Sequence, residues 1–354
     1  MAAREALIHG GDWAGFKSEY GKLPLDFSAS ISPLGLPESV RKAAADALKM
    51  TDRYPDPLCR ELRAALTAAC GIPEEQIVCG NGASDLIYRI CRVLHPRNAA
   101  VLTPGFAEYE RALCAENSEL DLIPLPEANG FRLTEETVQE IPQNCELLFL
   151  CNPNNPAGLL AERESVQMLL DRCRETGMCL VADECFLDFV ERPEDHSLIP
   201  ALRNTPDLVV LRAFTKTWAM AGLRLGYALC GNGLLARALR DDGPPWAVSG
   251  VAQAAGLAAL REQAYVQTLR EAISGERKRM LPALEAMGLR VIPGEANFLL
   301  FRSADPELAD KLRRRGILIR DCRNFRGLCA GWYRVAVRAP EENDRLLSAL
   351  REEL

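Results

Sequence analysis

The chain reads as an α/β protein with a mainly parallel central sheet and a smaller C-terminal α+β domain. Two patterns predict this. From residue 75 to 230, short apolar runs of strand length alternate with amphipathic helical stretches, which calls for crossover connections. After a break at Gly243-Pro244-Pro245, a long helical stretch is followed by spaced short strands and a last helix. The size agrees: 354 residues with 48% hydrophobic content suffice for one large domain or two ordinary ones.

Residues 1–45 hold Pro24, Pro33 and Pro37 and read as an irregular arm that joins the small domain. The large domain is expected over 46–245. Its strand candidates are 76–79, 99–102, 147–151, 179–182, 208–212 and 225–230, with helices such as 84–94 and 163–176 between them. The third part, 246–354, starts with an interdomain helix over 249–287. Strands are expected at 297–302, 317–320 and 333–338, and an amphipathic helix at 341–354.

Composition excludes several classes. No apolar run approaches the roughly 20 residues of a spanning helix. Residues 1–15 lack the apolar centre of a signal peptide, so a cytoplasmic protein is expected. A net charge of −7 argues against nucleic-acid binding, and Arg313-Arg314-Arg315 reads as a solvated helix face. The thirteen cysteines are irregularly spaced and form no Cys-x-x-Cys pair, while His9, His95 and His196 lie far apart. No metal site is expected, and the cysteines read as small buried residues in a reducing compartment.

In parallel sheets, ligands bind beyond the carboxyl ends of the strands. Gly80-Asn81-Gly82-Ala83-Ser84 follows the first predicted strand and opens a helix. It is either an anion site built from free N–H groups or a plain strand–helix turn. It matches neither a P-loop nor a dinucleotide fingerprint. Asp183 ends an apolar strand and is either a cap or a buried acid that needs a cationic partner. Lys216 is the only lysine between Lys49 and Lys278. It is a snorkelling side chain or a desolvated amine suited to Schiff-base chemistry. Arg224 follows eight residues later, and arginine suits a phosphate. Taken together, these groups match the needs of an aldehyde cofactor with a pyridine ring and a phosphate.

Thr215-Lys216-x7-Arg224-x-Gly226-Tyr227 and Asn152-Pro153-Asn154-Asn155-Pro156-x-Gly158 resemble the motifs of fold-type-I pyridoxal-phosphate enzymes of the class I/II aminotransferase superfamily. The resemblance covers nearly the whole chain. Within that superfamily it is most similar to the threonine-phosphate decarboxylases, with histidinol-phosphate aminotransferases as close relatives. His9-Gly10-Gly11, Arg53-Tyr54-Pro55-Asp56, Pro104-Gly105-Phe106-Ala107-Glu108-Tyr109, Asp183-Glu184-x-Phe186, Pro245-Trp246 and Ile317-Leu318-Ile319-Arg320 carry the closer likeness.

The resemblance implies pyridoxal 5'-phosphate as cofactor and decarboxylation of L-threonine O-3-phosphate to (R)-1-aminopropan-2-yl phosphate in cobalamin biosynthesis. It makes Lys216 the cofactor's lysine and acid/base, and pairs Asp183 with the ring nitrogen. Asn155 meets the ring 3-oxygen and Phe106 stacks on the ring. Gly82, Ala83, Ser84, Thr215 and Arg224 meet the cofactor phosphate, and Tyr54 reaches the neighbouring subunit's phosphate site in a homodimer. Arg334 grips the substrate carboxylate. Arg320 and His9 hold the substrate phosphate, and Gly10, Ser30 and Asn155 complete the substrate contacts. Where the decarboxylases read Ser-Ala-Asn-Ile-Asn-Pro-Leu-Gly, this chain has Ser28-Ala29-Ser30-Ile31-Ser32-Pro33-Leu34-Gly35, so the likeness is weakest at Ser30 and Ser32. Two other readings stand beside the lyase: an aminotransferase, for example of histidinol phosphate, and a non-catalytic cofactor-binding regulator.

Overall fold

A computed structural model describes residues 9–354; residues 1–8, part of the stretch read for a signal peptide, lie outside the described residues. Seven strands form the central sheet in the order Ile77–Gly80, Gly226–Cys230, Leu208–Ala213, Cys179–Asp183, Leu147–Cys151, Asn98–Thr103 and Glu119–Pro124. Neighbours pair in parallel except at Gly226–Cys230, which runs antiparallel to both strands beside it. Leu147–Cys151 and Cys179–Asp183 are buried at every position. Such strands read as continuous apolar runs because both faces are covered. Leu148, Leu150, Leu180 and Val210 pack into one cluster, while Leu147, Phe149, Val181 and Val209 pack into another on the opposite face.

The antiparallel strand matters for the site. Gly226 is in register with both Gly80 and Ala213, the last residues of its neighbours. The residues that precede Gly226 therefore emerge at the edge where the parallel strands end. Gly226 also permits a close approach: a Cβ there would lie 2.6 Å from the Ala83 nitrogen. The sheet edge thus touches the first turn of helix Gly82–Leu94.

The C-terminal third carries a four-stranded antiparallel sheet in the order Arg320–Asp321, Trp332–Ala336, Phe298–Arg302 and Arg290–Ile292. Phe298, Tyr333, Val335 and Leu346 pack under it, the last from helix Pro340–Glu353.

Several expectations need correction. The expected 249–287 helix is two helices, Gly250–Ala259 and Gln263–Glu285. At the break Glu262 accepts a hydrogen bond from Ser39, and Tyr265 donates to the Gly35 carbonyl at 2.7 Å. The 317–320 strand is split between two partners: Ile317–Leu318 pairs with Leu25–Asp26, and Arg320–Asp321 pairs with Trp332–Ala336. Residues 9–45 are not wholly irregular, because helix Trp13–Tyr20 and the start of helix Glu38–Ala47 form there. Pro37 stands just before the second helix, where proline is tolerated. Strand Glu119–Pro124 was not expected: most of its side chains are exposed, so it lacks the apolar signature.

Among the described residues, no helix is long and apolar enough to cross a membrane. Within the Arg313-Arg314-Arg315 run, Arg313 pairs with Asp12 and Glu19, and Arg315 with Glu352 and Glu353. All thirteen cysteines are free and most are buried.

Candidate active site

A cavity of about 450 Å³ opens where the strands end. His9, Gly10, Ser30, Ala83, Ser84, Phe106, Asn155, Asp183, Thr215, Lys216, Arg224, Arg320 and Arg334 all line it. Gly82 adjoins it. A Cβ on Gly82 would lie 2.6 Å from Arg224 Nη2, so the bare glycine makes room for the guanidinium beside the helix start. That helix has no side-chain cap, which leaves its first N–H groups to a ligand. Tyr54 is not brought to this cavity. It is 79% exposed and stacks on Trp246 at 4.4 Å between ring centroids.

The Asn-rich loop divides its work. Asn152 Oδ1 accepts from the Ala161 N–H at 2.9 Å and Asn154 Oδ1 from the Ala157 N–H at 3.0 Å. Asn154 also donates to the Pro104 carbonyl at 3.2 Å. These two hold the loop, and Asn155 is left facing the cavity, where it accepts from Arg334 Nη1.

Asp183 is buried and held at both oxygens. Oδ2 accepts from the Tyr109 hydroxyl at 2.6 Å and Oδ1 from the Cys185 N–H at 3.0 Å. Tyr109 stacks on Phe149 at 4.6 Å. Burial and the adjacent Asp183 carboxylate keep its phenol well above the usual range, so it is a fixed donor.

Lys216 lies in the short helix Phe214–Thr217 that follows strand Leu208–Ala213. Burial pushes its amine down to about 8, aided by the Arg334 and Arg224 guanidinium groups. Its backbone carbonyl accepts from the Ser32 N–H at 3.0 Å. Ser32 Oγ bonds Tyr265 at 2.5 Å, so this serine serves the scaffold. Ser30 is different: it is buried, lines the cavity, and its hydroxyl has no hydrogen-bond partner among the described residues. Phe186 presents an apolar ring 5.7 Å from the Lys216 amine.

Two arginines complete the wall. Arg320 and Arg334 are both buried and stand directly opposite each other on antiparallel strands. Arg334 Nη2 donates to the Ser28 carbonyl at 3.2 Å; among the described residues its Nε has no partner and no carboxylate pairs with it. Burial, with Arg320 nearby, pushes its guanidinium down to about 10. Arg320 donates to the Asp321 carbonyl at 2.5 Å and to Asn324 at 2.8 Å. Like charges opposite each other repel, and an anion relieves that repulsion. The cavity therefore suits a molecule with more than one anionic group and a carbonyl or amine near Lys216. Among the described residues, no cluster of His, Cys, Asp and Glu is placed to hold a metal.

Residues 24–350 match the family description Aminotransferase class I and II. The chain belongs to this family. Among relatives of this class I and II chain, the threonine-phosphate decarboxylase of Salmonella typhimurium is 41% identical over 98% of this chain and 96% of its own length. The L-threonine-O-3-phosphate decarboxylase of Porphyromonas gingivalis superposes with a TM-score of 0.81 at 26% identity, over 93% of this chain and 98% of that one. The histidinol-phosphate aminotransferase of Sinorhizobium meliloti, solved in complex with pyridoxal-5'-phosphate, gives 0.87 at 25% identity, over 98% and 95%.

Tyr109 was given no role in the sequence reading. The signals were its place one helical turn after Phe106 and its membership of the Pro104–Tyr109 stretch that carries the family likeness. Tyr109→Phe keeps the ring stack and removes the donor from Asp183. The expected cost is about 1.5–3 kcal/mol of stability in urea denaturation. A loss under about 0.5 kcal/mol would show that this hydrogen bond contributes nothing.

Proposed function

We propose that this chain is a pyridoxal-phosphate-dependent carboxy-lyase acting on a phosphorylated amino acid. The substrate is L-threonine O-3-phosphate and the product (R)-1-aminopropan-2-yl phosphate, in cobalamin biosynthesis. The observation that carries this is buried Arg334, which faces the cavity with Nε unpartnered among the described residues and has a second buried arginine, Arg320, opposite it on the same wall; a carboxylate answers the first and a phosphate can join the second. The 41% identity to the Salmonella decarboxylase supports the same reading.

The residues fit the cofactor. The uncapped helix start at Gly82, Ala83 and Ser84, with Thr215 and Arg224, provides donors for a phosphate. Phe106 gives a face for a flat ring, Asp183 an acid for a ring nitrogen, and Asn155 a polar group for a ring oxygen. When bound, pyridoxal phosphate supplies an electron sink for the pair left on Cα as the carbon–carboxylate bond breaks. Arg334 and Asn155 orient the carboxylate, while Arg320, His9 and Gly10 receive the substrate phosphate. Ser30, with its unpartnered hydroxyl, meets the substrate between them. Phe186 and Phe106 keep water from Cα, and Lys216 Nζ delivers the proton that replaces the carboxylate. An amine pushed down to about 8 gives up a proton far more readily than ordinary lysine.

The arm of residues 1–45, a large cofactor-binding domain over 46–245 and a small domain over 246–354 complete the organisation. Pairing of Leu25–Asp26 with Ile317–Leu318 favours an arm that joins the small domain. A homodimer is part of the reading. Leu48, Met50, Tyr54, Leu58 and Trp246 leave an apolar surface exposed, and Tyr54 is free to serve a second copy's phosphate site. The free thiols agree with a reducing, cytoplasmic compartment. An aminotransferase is the second reading, favoured by the TM-score of 0.87 to the Sinorhizobium enzyme against 0.81 to the Porphyromonas decarboxylase.

One assay pair separates the two. O-Phosphothreonine, O-phosphoserine and histidinol phosphate are offered with 2-oxoglutarate, and carbon dioxide and glutamate are measured separately. Carbon dioxide from O-phosphothreonine is expected; glutamate alone would overturn the lyase. Lys216→Ala is expected to lose both turnover and the absorbance band of lysine-linked cofactor, and a surviving band would refute the assignment of Lys216. The neutral amine is the form that captures an aldehyde. Uptake of pyridoxal phosphate by cofactor-free protein is therefore expected to accelerate as pH rises and to level off above about 8. A rate still climbing steeply toward pH 10 would contradict the lowered pKa. Mixing Lys216→Ala and Tyr54→Ala subunits is expected to restore activity, because mixed dimers contain one intact site. No recovery, with mixed dimers demonstrated by mass, would remove Tyr54 from the site.

A further inference from the structure

The cavity is lined by cations, yet one of its wall residues is a buried carboxylate with no part in the chemistry above. Glu108 is 8% exposed and faces the cavity from helix Ala107–Ala115. Donors from three elements surround it. Oε1 meets His9 Nε2 at 2.7 Å and accepts from Arg111 Nη1 at 3.1 Å, and Oε2 accepts from the Tyr88 hydroxyl at 2.8 Å. Burial works against the charge on Glu108, but hydrogen bonds from Tyr88 and His9 outweigh it and hold its carboxyl below the usual range. Glu108 is therefore a fixed anion, unsuited to giving a proton to a substrate.

A negative charge beside a phosphate site is costly unless it organises the cations around it. The geometry shows which ones it organises. The Glu108 contact places the His9 ring 5.5 Å from Phe106 at the cavity mouth. The arm reaches there because Gly10 has no side chain: a Cβ would lie 2.2 Å from the Ser28 carbonyl oxygen. The Gly11 N–H then donates to Ser28 Oγ at 2.8 Å. Arg111 lines the same mouth and is half exposed, so its guanidinium has nitrogens to spare beyond Glu108.

We infer that Glu108 is a positioning residue for the substrate phosphate, and that Arg111 is a further phosphate contact beside His9 and Arg320. Glu108 binds His9 through one ring nitrogen and turns the other toward the cavity. It fixes Arg111 through one nitrogen and leaves the rest of the fork for an anion. Tyr88 anchors the far oxygen so that the carboxylate cannot rotate away. The inference rests on a phosphorylated substrate but not on which bond of it breaks.

The test uses the cofactor-loaded enzyme and reads whichever product, carbon dioxide or glutamate, wild type forms from a phosphorylated amine. A failure of the lyase reading is thereby separated from a failure of this one. Glu108→Gln is expected to raise KM by about tenfold with kcat within about twofold, the loss of one oriented charged contact. In a His9→Ala background the same change is expected to cost less than about threefold, because the group it positions is gone. Arg111→Ala is expected to raise KM in the same way. A fall in kcat at unchanged KM, or full additivity of Glu108→Gln with His9→Ala, would overturn the inference. If Glu108→Gln does not fold, Tyr88→Phe releases only the anchoring oxygen. It is expected to raise KM by about threefold, and an unchanged KM would be equally decisive against the proposal.

Discussion

The buried Arg334 guanidinium, which no carboxylate pairs among the described residues, is the constraint around which the site is arranged. Arg320 and Arg334 are cross-strand partners, both buried, and Lys216 shares their cavity. A buried cation without a carboxylate loses hydration and regains little. The surroundings temper this only in part. Arg334 has the Asn155 oxygen and the Ser28 carbonyl, both neutral dipoles, and its third nitrogen has no partner among the described residues. The fold thus gives up stability in order to keep a wall ready for anions. Other buried charges show the opposite solution. Arg212, beneath the site, is held by both Glu184 and Asp188.

The two buried acids at the site are handled in a common manner. Asp183 and Glu108 lie on different elements, and each is held by donors at both oxygens: Tyr109 and a backbone N–H for the first, Tyr88, His9 and Arg111 for the second. Both are fixed by a tyrosine, so the direction of the remaining lone pairs is set before a ligand arrives. Such preorganisation avoids reorganising the site when charge develops. The reversed strand Gly226–Cys230 does similar work for Arg224, delivering it to an edge that a fully parallel sheet would have denied it.

Much of this was legible in the residues. The buried strands showed because a sheet covered on both faces writes uninterrupted apolar runs. Lys216, Asp183, Asn155 and the Gly82 turn were found because they follow such runs. What escaped has physical reasons as well. Glu119–Pro124 is an edge strand with an exposed composition, so no periodicity marks it. The break between Gly250–Ala259 and Gln263–Glu285 coincides with contacts to Ser39 and Gly35, more than 220 positions away in the chain. Tyr109 and Glu108 lie in a stretch that carries the family likeness, but their roles stayed hidden because their partners, Asp183 and His9, are set by tertiary folding and not by local spacing.

The bond from Arg334 to the Ser28 carbonyl joins groups 306 positions apart, and His9 meets Glu108 across 99. The cavity is therefore assembled from segments far apart in the chain. The strands of the central sheet and Lys216 come before the strand that carries Arg334 in chain order. The anion-facing wall therefore depends on closing a long-range loop, a larger entropic cost than the central sheet, built from nearer neighbours, has to meet.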